Sequence, residues 1–190
     1  MNKELRRARI AGVILIILAL TAVFPTSFYR LLGTRATPYI IFYLFTLIVY
    51  LGFIFGFKII AKKVNNNLLK KACSAFIVFS AIYYIYFILT MYWAGISSFS
   101  FIYFLQLING AIGLVFGWAL IGLKKEFAWL GFSAGALMII LSFSIIISSL
   151  FSLFNIFLNF SSFLFEVNNM FLVLAYILET RILFKAEERL

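Results

Sequence analysis

The residues best equipped for chemistry in this chain are a few amides and one carboxylate set into long apolar runs. Glu166, Asn168 and Asn169 fall early in one such run, and Gln106 and Asn109 sit inside another. In hydrocarbon a polar group without a partner is costly, so such residues face inward and pair, and ionisable ones often line a solute or ion path. Glu166 therefore has two readings. It forms a structural ion pair with Arg30 or Arg35, the two bases expected on its side of the membrane, or it binds a proton, a cation or a solute. Tyr83, Tyr84 and Tyr86 add three hydroxyls that need partners such as Gln106 or backbone carbonyls. They could equally line a pocket for a flat apolar ligand such as a quinone, or simply pack. Glu179, two positions before Arg181, reads as an interfacial residue.

What the chain lacks is as informative. It has no histidine and no aspartate, and its one cysteine is Cys73. Histidine-based triads, aspartate dyads and zinc or haem sites have no parts to draw on. No glycine loop followed by Lys-Ser or Lys-Thr is present to cradle a nucleotide. Neither an enzyme nor a resident cofactor or metal is expected. Cys73 reads as a small packing residue.

Six elements must position these groups. Apolar residues make up 65% of the 190 and charged ones 12%, against about 45–50% and about 25% in soluble domains, so the excess apolar surface must face lipid. A helix needs about 20 apolar residues to cross the roughly 30 Å hydrocarbon core. Segments 10–32, 39–60, 72–96, 99–123, 127–151 and 163–184 qualify, and together they predict one all-α transmembrane bundle over 1–190. Pro25 kinks or ends the first segment. The basic start followed by an apolar run resembles a signal peptide, but no small-x-small site follows, so the first helix is expected to be retained.

The net charge of +10 is distributed as topology markers. Lys3, Arg6, Arg7 and Arg9 precede the first segment, Lys58, Lys62, Lys63, Lys70 and Lys71 flank the second connection, Lys124 and Lys125 form the fourth, and Arg181, Lys185 and Arg189 end the last. Only Arg30 and Arg35 fall on the other side. This alternation predicts six spans with both termini in the cytoplasm, in the plasma membrane. The short clusters form no continuous basic face, so nucleic acid is not an expected partner. Anionic lipids at the cytoplasmic face are, at about 1 kcal/mol per lysine.

Small residues four apart let helices approach closely in lipid. Gly52/Gly56, Gly113/Gly117 and Gly131/Gly135 follow that spacing, and Gln106, Gly110, Gly113 and Gly117 share one face. Such faces predict packing inside the bundle or contact with another subunit.

Two classes of function follow. The first is a non-catalytic accessory or scaffold subunit of a larger membrane assembly, in contact with other membrane chains. The alternative is a small-solute transporter, or a membrane-embedded substrate-binding component of one. In size, span number and internal termini the chain resembles the membrane-embedded binding subunits of energy-coupling-factor transporters. The resemblance is one of architecture: where those subunits carry Ala-x-x-x-Ala in the first helix, this chain has Ala8 and Gly12.

Overall fold

A computed structural model describes residues 3–23, 36–92, 99–154 and 158–189. Among them are seven helices and no strand: α1 Lys3–Val23, α2 Ala36–Lys63, α3 Asn67–Tyr92, α4 Phe99–Ile121, α5 Lys124–Phe127, α6 Trp129–Leu153 and α7 Leu158–Arg189. Five of them, α2, α3, α4, α6 and α7, are long and apolar enough to cross a bilayer. The chain is a multi-pass helical membrane protein.

Helices are the only open-ended solution here, because lipid offers no partner to a free backbone N–H or C=O. The apolar residues of these segments run all the way round each helix instead of forming one stripe. Ile48 is 68% exposed and Trp118 67% exposed, whereas Phe53, Phe57 and Leu120 are fully buried. Length and overall apolarity therefore select the element, and packing selects its inward face.

The helices form a ring in chain order. α1 packs on α2, α2 on α3, α3 on α4, α4 on α6 and α6 on α7, and α7 closes back onto α1. Aromatic side chains knit α2, α3, α4 and α7 together through edge-to-face contacts: Tyr50 on Phe76, Phe76 on Phe116, Phe116 on Phe57, Phe57 on Phe53, and Phe53 on Tyr176, with centroids 5.3–6.4 Å apart. Ring pairs of this kind add to the area term of burial. Cys73 lies fully buried among them, as a packing residue would.

One end of the bundle gathers the chain's beginning, its end and two turns. Arg9 of α1 pairs with Glu187 of α7 at 2.8 Å, and its guanidinium lies 4.4 Å from the centre of the Phe184 ring. The Arg189 guanidinium donates to the Glu126 carbonyl at 2.8 Å, beside the α4–α6 connection. The Asn66 amide donates to the Ala119 carbonyl at 3.1 Å, joining the α2–α3 turn to the end of α4. In that turn Asn65 takes a left-handed conformation (φ 54°), a backbone state asparagine tolerates at helix ends. Asn66 Oδ1 then accepts from the Leu69 N–H at 3.0 Å and caps α3.

Three boundaries differ from the expected ones: the third span, expected over 72–96, begins five residues earlier at Asn67. The last span, expected over 163–184, is a helix over Leu158–Arg189, so half of the connection expected at 152–162 is helical. Polar Asn and Ser lower hydropathy but do not stop backbone hydrogen bonding, so the apolar run understates the helix. The Lys124-Lys125 connection likewise holds a single helical turn, α5.

Candidate functional site

At the centre of the ring lies a cavity of about 270 Å³. Five of the six long helices line it. α2 contributes Tyr50 and Ile54, α3 contributes Ser80, Tyr83 and Tyr84, and α4 contributes Gln106, Asn109 and Gly113. From α6 come Ser142 and Ser148, and from α7 come Asn168, Asn169, Tyr176 and Glu179. In a bundle this apolar, so many polar side chains meeting at one place is the main local departure from simple packing.

Helix periodicity explains how α7 supplies its share. Asn168, Leu172, Tyr176 and Glu179 recur at spacings of four, four and three, which keeps them on one face. Arg181, two residues beyond Glu179, lies about 200° round the helix and is exposed, while Glu179 is 2% exposed. The expectation of an interfacial Glu179 is therefore corrected. Its neighbour's charge marks the outer face of α7, and Glu179 faces the cavity.

Part of the polar wall is internally satisfied. The Tyr83 hydroxyl is hydrogen-bonded with Gln106, and the Ser149 hydroxyl lies 3.3 Å from Gln106 Oε1 while donating to the Ile145 carbonyl at 2.7 Å. This network ties α3, α4 and α6 together, with Gln106 as the partner expected for a deep tyrosine. Tyr50 is hydrogen-bonded with Ser80 across α2 and α3. Tyr86 points elsewhere, packing edge-on against Phe101 at 4.7 Å.

Among the described residues, two that line the cavity carry a buried acceptor with no hydrogen-bond partner: Asn168 Oδ1 and Glu179 Oε1. A buried acceptor left unmade costs about 1–3 kcal/mol. Both atoms belong to residues that line an empty space, which is where a ligand's donors would go.

Compared with known proteins, the chain matches no family model, no curated protein and no solved structure.

The residues singled out in the sequence are distributed as follows. Gln106, Asn109, Asn168 and Asn169 come together at the cavity from α4 and α7. Arg30 and Arg35, and the side chain of Glu166, lie outside the described residues. The glycines divide between two helix contacts. A Cβ on Gly56 would meet Ala8 of α1, and one on Gly52 would stand 3.8 Å from Ala11. On the other side, a Cβ on Gly113 would meet Ser142 Oγ, one on Gly117 would lie 2.8 Å from the Gly135 carbonyl oxygen, and one on Gly131 would lie 2.9 Å from the Leu123 backbone. α4 and α6 thus run nearly backbone to backbone, and Gly113 itself is part of the cavity wall.

Proposed function

We propose that this chain is a non-catalytic protein of the plasma membrane that binds a small solute in its central cavity, as a transporter or as the membrane-embedded binding component of one. The observation that carries this reading is that two residues lining a cavity at the centre of the helix ring, Asn168 and Glu179, each hold a buried acceptor, Oδ1 and Oε1, without a hydrogen-bond partner among the described residues. Ligand sites between bundle helices are concave, mostly apolar and furnished with a few converging polar groups. The volume falls just below the roughly 300–1,000 Å³ of drug-sized sites, which suits a small, slender solute.

In this reading α1 is the sixth crossing and both termini lie in the cytoplasm. Its 21 residues run about 31 Å at 1.5 Å per residue, of which the apolar stretch 10–23 makes up about 21 Å. The charges of its first two turns make it less uniformly apolar than the other five. Exposed Arg6, Arg7, Lys62, Lys63, Lys70, Lys71, Lys124 and Lys125 cluster toward the end where the termini meet, as cytoplasmic bases do, and there they engage anionic lipid.

The reading is tested by thermal unfolding of the purified chain in lipid nanodiscs across a library of small polar solutes. A saturable rise in Tm is expected for some of them, and Asn168→Ala and Asn169→Ala should each reduce it. An accessory or scaffold role in a larger assembly requires no such cavity. It is the outcome favoured if no solute raises Tm and other membrane chains co-purify under gentle extraction.

A further inference from the structure

We infer that the solute taken by this cavity is a small organic cation whose ammonium group sits against Glu179 and whose apolar body lies along the tyrosine faces toward Asn168. The inference rests on the solute-binding reading above and specifies its chemistry.

Charge is the first ground. Among the described residues, Glu179 is the one carboxylic acid on the cavity wall, and no lysine or arginine lines that wall. Its Oε1 has no hydrogen-bond partner and the residue is 2% exposed. An anionic solute would meet a carboxyl and no counter-charge. A cation supplies both the missing charge and the missing donor.

The second ground is aromatic. Tyr50 and Tyr176 stand within electrostatic reach of Glu179, and Phe76, Phe116 and Tyr84 line the same cavity. Ring faces attract cations, and more strongly once water is excluded. A carboxyl flanked by aromatic rings is chemically suited to an ammonium group and offers little to a metal ion, which would call for several oxygen ligands at one point.

Geometry sets the solute's shape. Asn168 and Glu179 are eleven residues apart on α7, three turns and about 20° of further rotation, so they share a face about 16 Å apart along the axis. The two open acceptors thus lie toward opposite ends of the cavity, too far apart to hold one compact ion. Tyr176 and Leu172 occupy the stretch between them. A cationic head at Glu179 with a slender apolar body along that stretch is the minimal solute, and a donor at its far end is needed only to reach Asn168 as well.

The test compares three compounds on one skeleton: phenethylammonium, 2-phenylethanol and phenylacetate, titrated calorimetrically into the full chain in neutral-lipid nanodiscs. Phenethylammonium should bind roughly tenfold or more tightly than the alcohol, the ratio that a charge-assisted hydrogen bond supplies, and phenylacetate should bind most weakly. Glu179→Gln, which preserves shape, should erase the preference while leaving the alcohol's affinity in place. Asn109→Phe, which fills the cavity, should abolish binding of all three. If the alcohol matches the ammonium, or the preference survives Glu179→Gln, the cation assignment is overturned while solute binding stands. If none of the three binds saturably, both readings fall. Should Glu179→Gln not purify, the ranking of the three compounds on the unaltered chain decides the matter.

Discussion

Single side chains at the helix ends do more for this fold than their polarity suggests. Asn66 caps α3 through Oδ1 and holds the end of α4 through Nδ2, so one residue closes two orphaned backbone groups on different helices. Loss of an N-cap costs about 0.5–2 kcal/mol, and the second bond adds to that. Asn66→Ala should therefore lower stability by about 1–2 kcal/mol, read as a fall in Tm. Asn66→Asp, which keeps the cap acceptor and loses the donor to Ala119, should lose less. If Asn66→Ala melts with the unaltered chain, the link from turn to α4 carries no weight. The same scale shows where sequence reading succeeds and fails. Gln106, Asn109, Asn168 and Asn169 are visible as amides deep in apolar runs, and they converge at the cavity. Glu179 was hidden by Arg181. Two residues apart in sequence suggests one environment, yet on a helix the pair face nearly opposite ways, and only the inward face of α7 could show which side Glu179 takes.

At the scale of elements, three glycine pairs with identical spacing are mechanically unlike. A Cβ at Gly135 would meet the Gly117 carbonyl oxygen and come within 2.7 Å of the Ile121 backbone nitrogen, atoms that move only if α4 moves. Gly52 has nothing nearer than the Ala11 Cβ at 3.8 Å, an ordinary van der Waals contact. Gly135→Ala should then cost about 1–3 kcal/mol from forced separation of α4 and α6. Gly52→Ala should be neutral or gain up to about 1 kcal/mol in helix propensity. Equal losses of Tm in the two variants would contradict this account. The spacing announces that close approach occurs somewhere. Which pair is tight depends on the partner helix, and sequence periodicity is blind to that. It is blind to ring order for the same reason, since helices that are apolar all round carry no stripe to say which neighbour each one faces. The span lengths, in contrast, follow from the thickness of hydrocarbon and were legible to within three residues in α2, α4 and α6, whereas α3 starts five residues early, in the polar stretch Asn67–Lys71. In α7 the flanking Asn, Ser and Glu residues hid the helical ends.

At the scale of the whole molecule, the exposed charges of the described residues gather at the end of the bundle where α1 begins and α7 finishes. Ring closure makes this more than a count of lysines, because Arg9–Glu187 and Arg189–Glu126 physically join the N-terminal turn of α1, the C-terminal turns of α7 and the α4–α6 connection. In the six-crossing arrangement proposed above, α1 traverses the bilayer with the five longer apolar helices, and the ends of α1 and α7 that meet here share one side of the membrane. Cysteine labelling can read this directly, because Cys73 is buried and its replacement by alanine gives a silent background. Single cysteines at Arg7, Lys125 and Glu188, all exposed, should then resist a membrane-impermeant thiol reagent in intact cells and react once the membrane is opened. Phe154, 69% exposed at the opposite end of α6, should behave the other way as Phe154→Cys. Reaction of Arg7→Cys and Glu188→Cys from opposite sides would break the ring as described, and with it the shared origin of the cavity walls. Agreement of the three basic-end positions against Phe154 would place the Glu179 end of the cavity toward the cytoplasm, since Glu179 lies three turns along α7 from Asn168 in the direction of Glu187. A cationic solute drawn from outside would then traverse the tyrosine faces before reaching its carboxyl, inward along the membrane potential that favours positive charge moving in that direction.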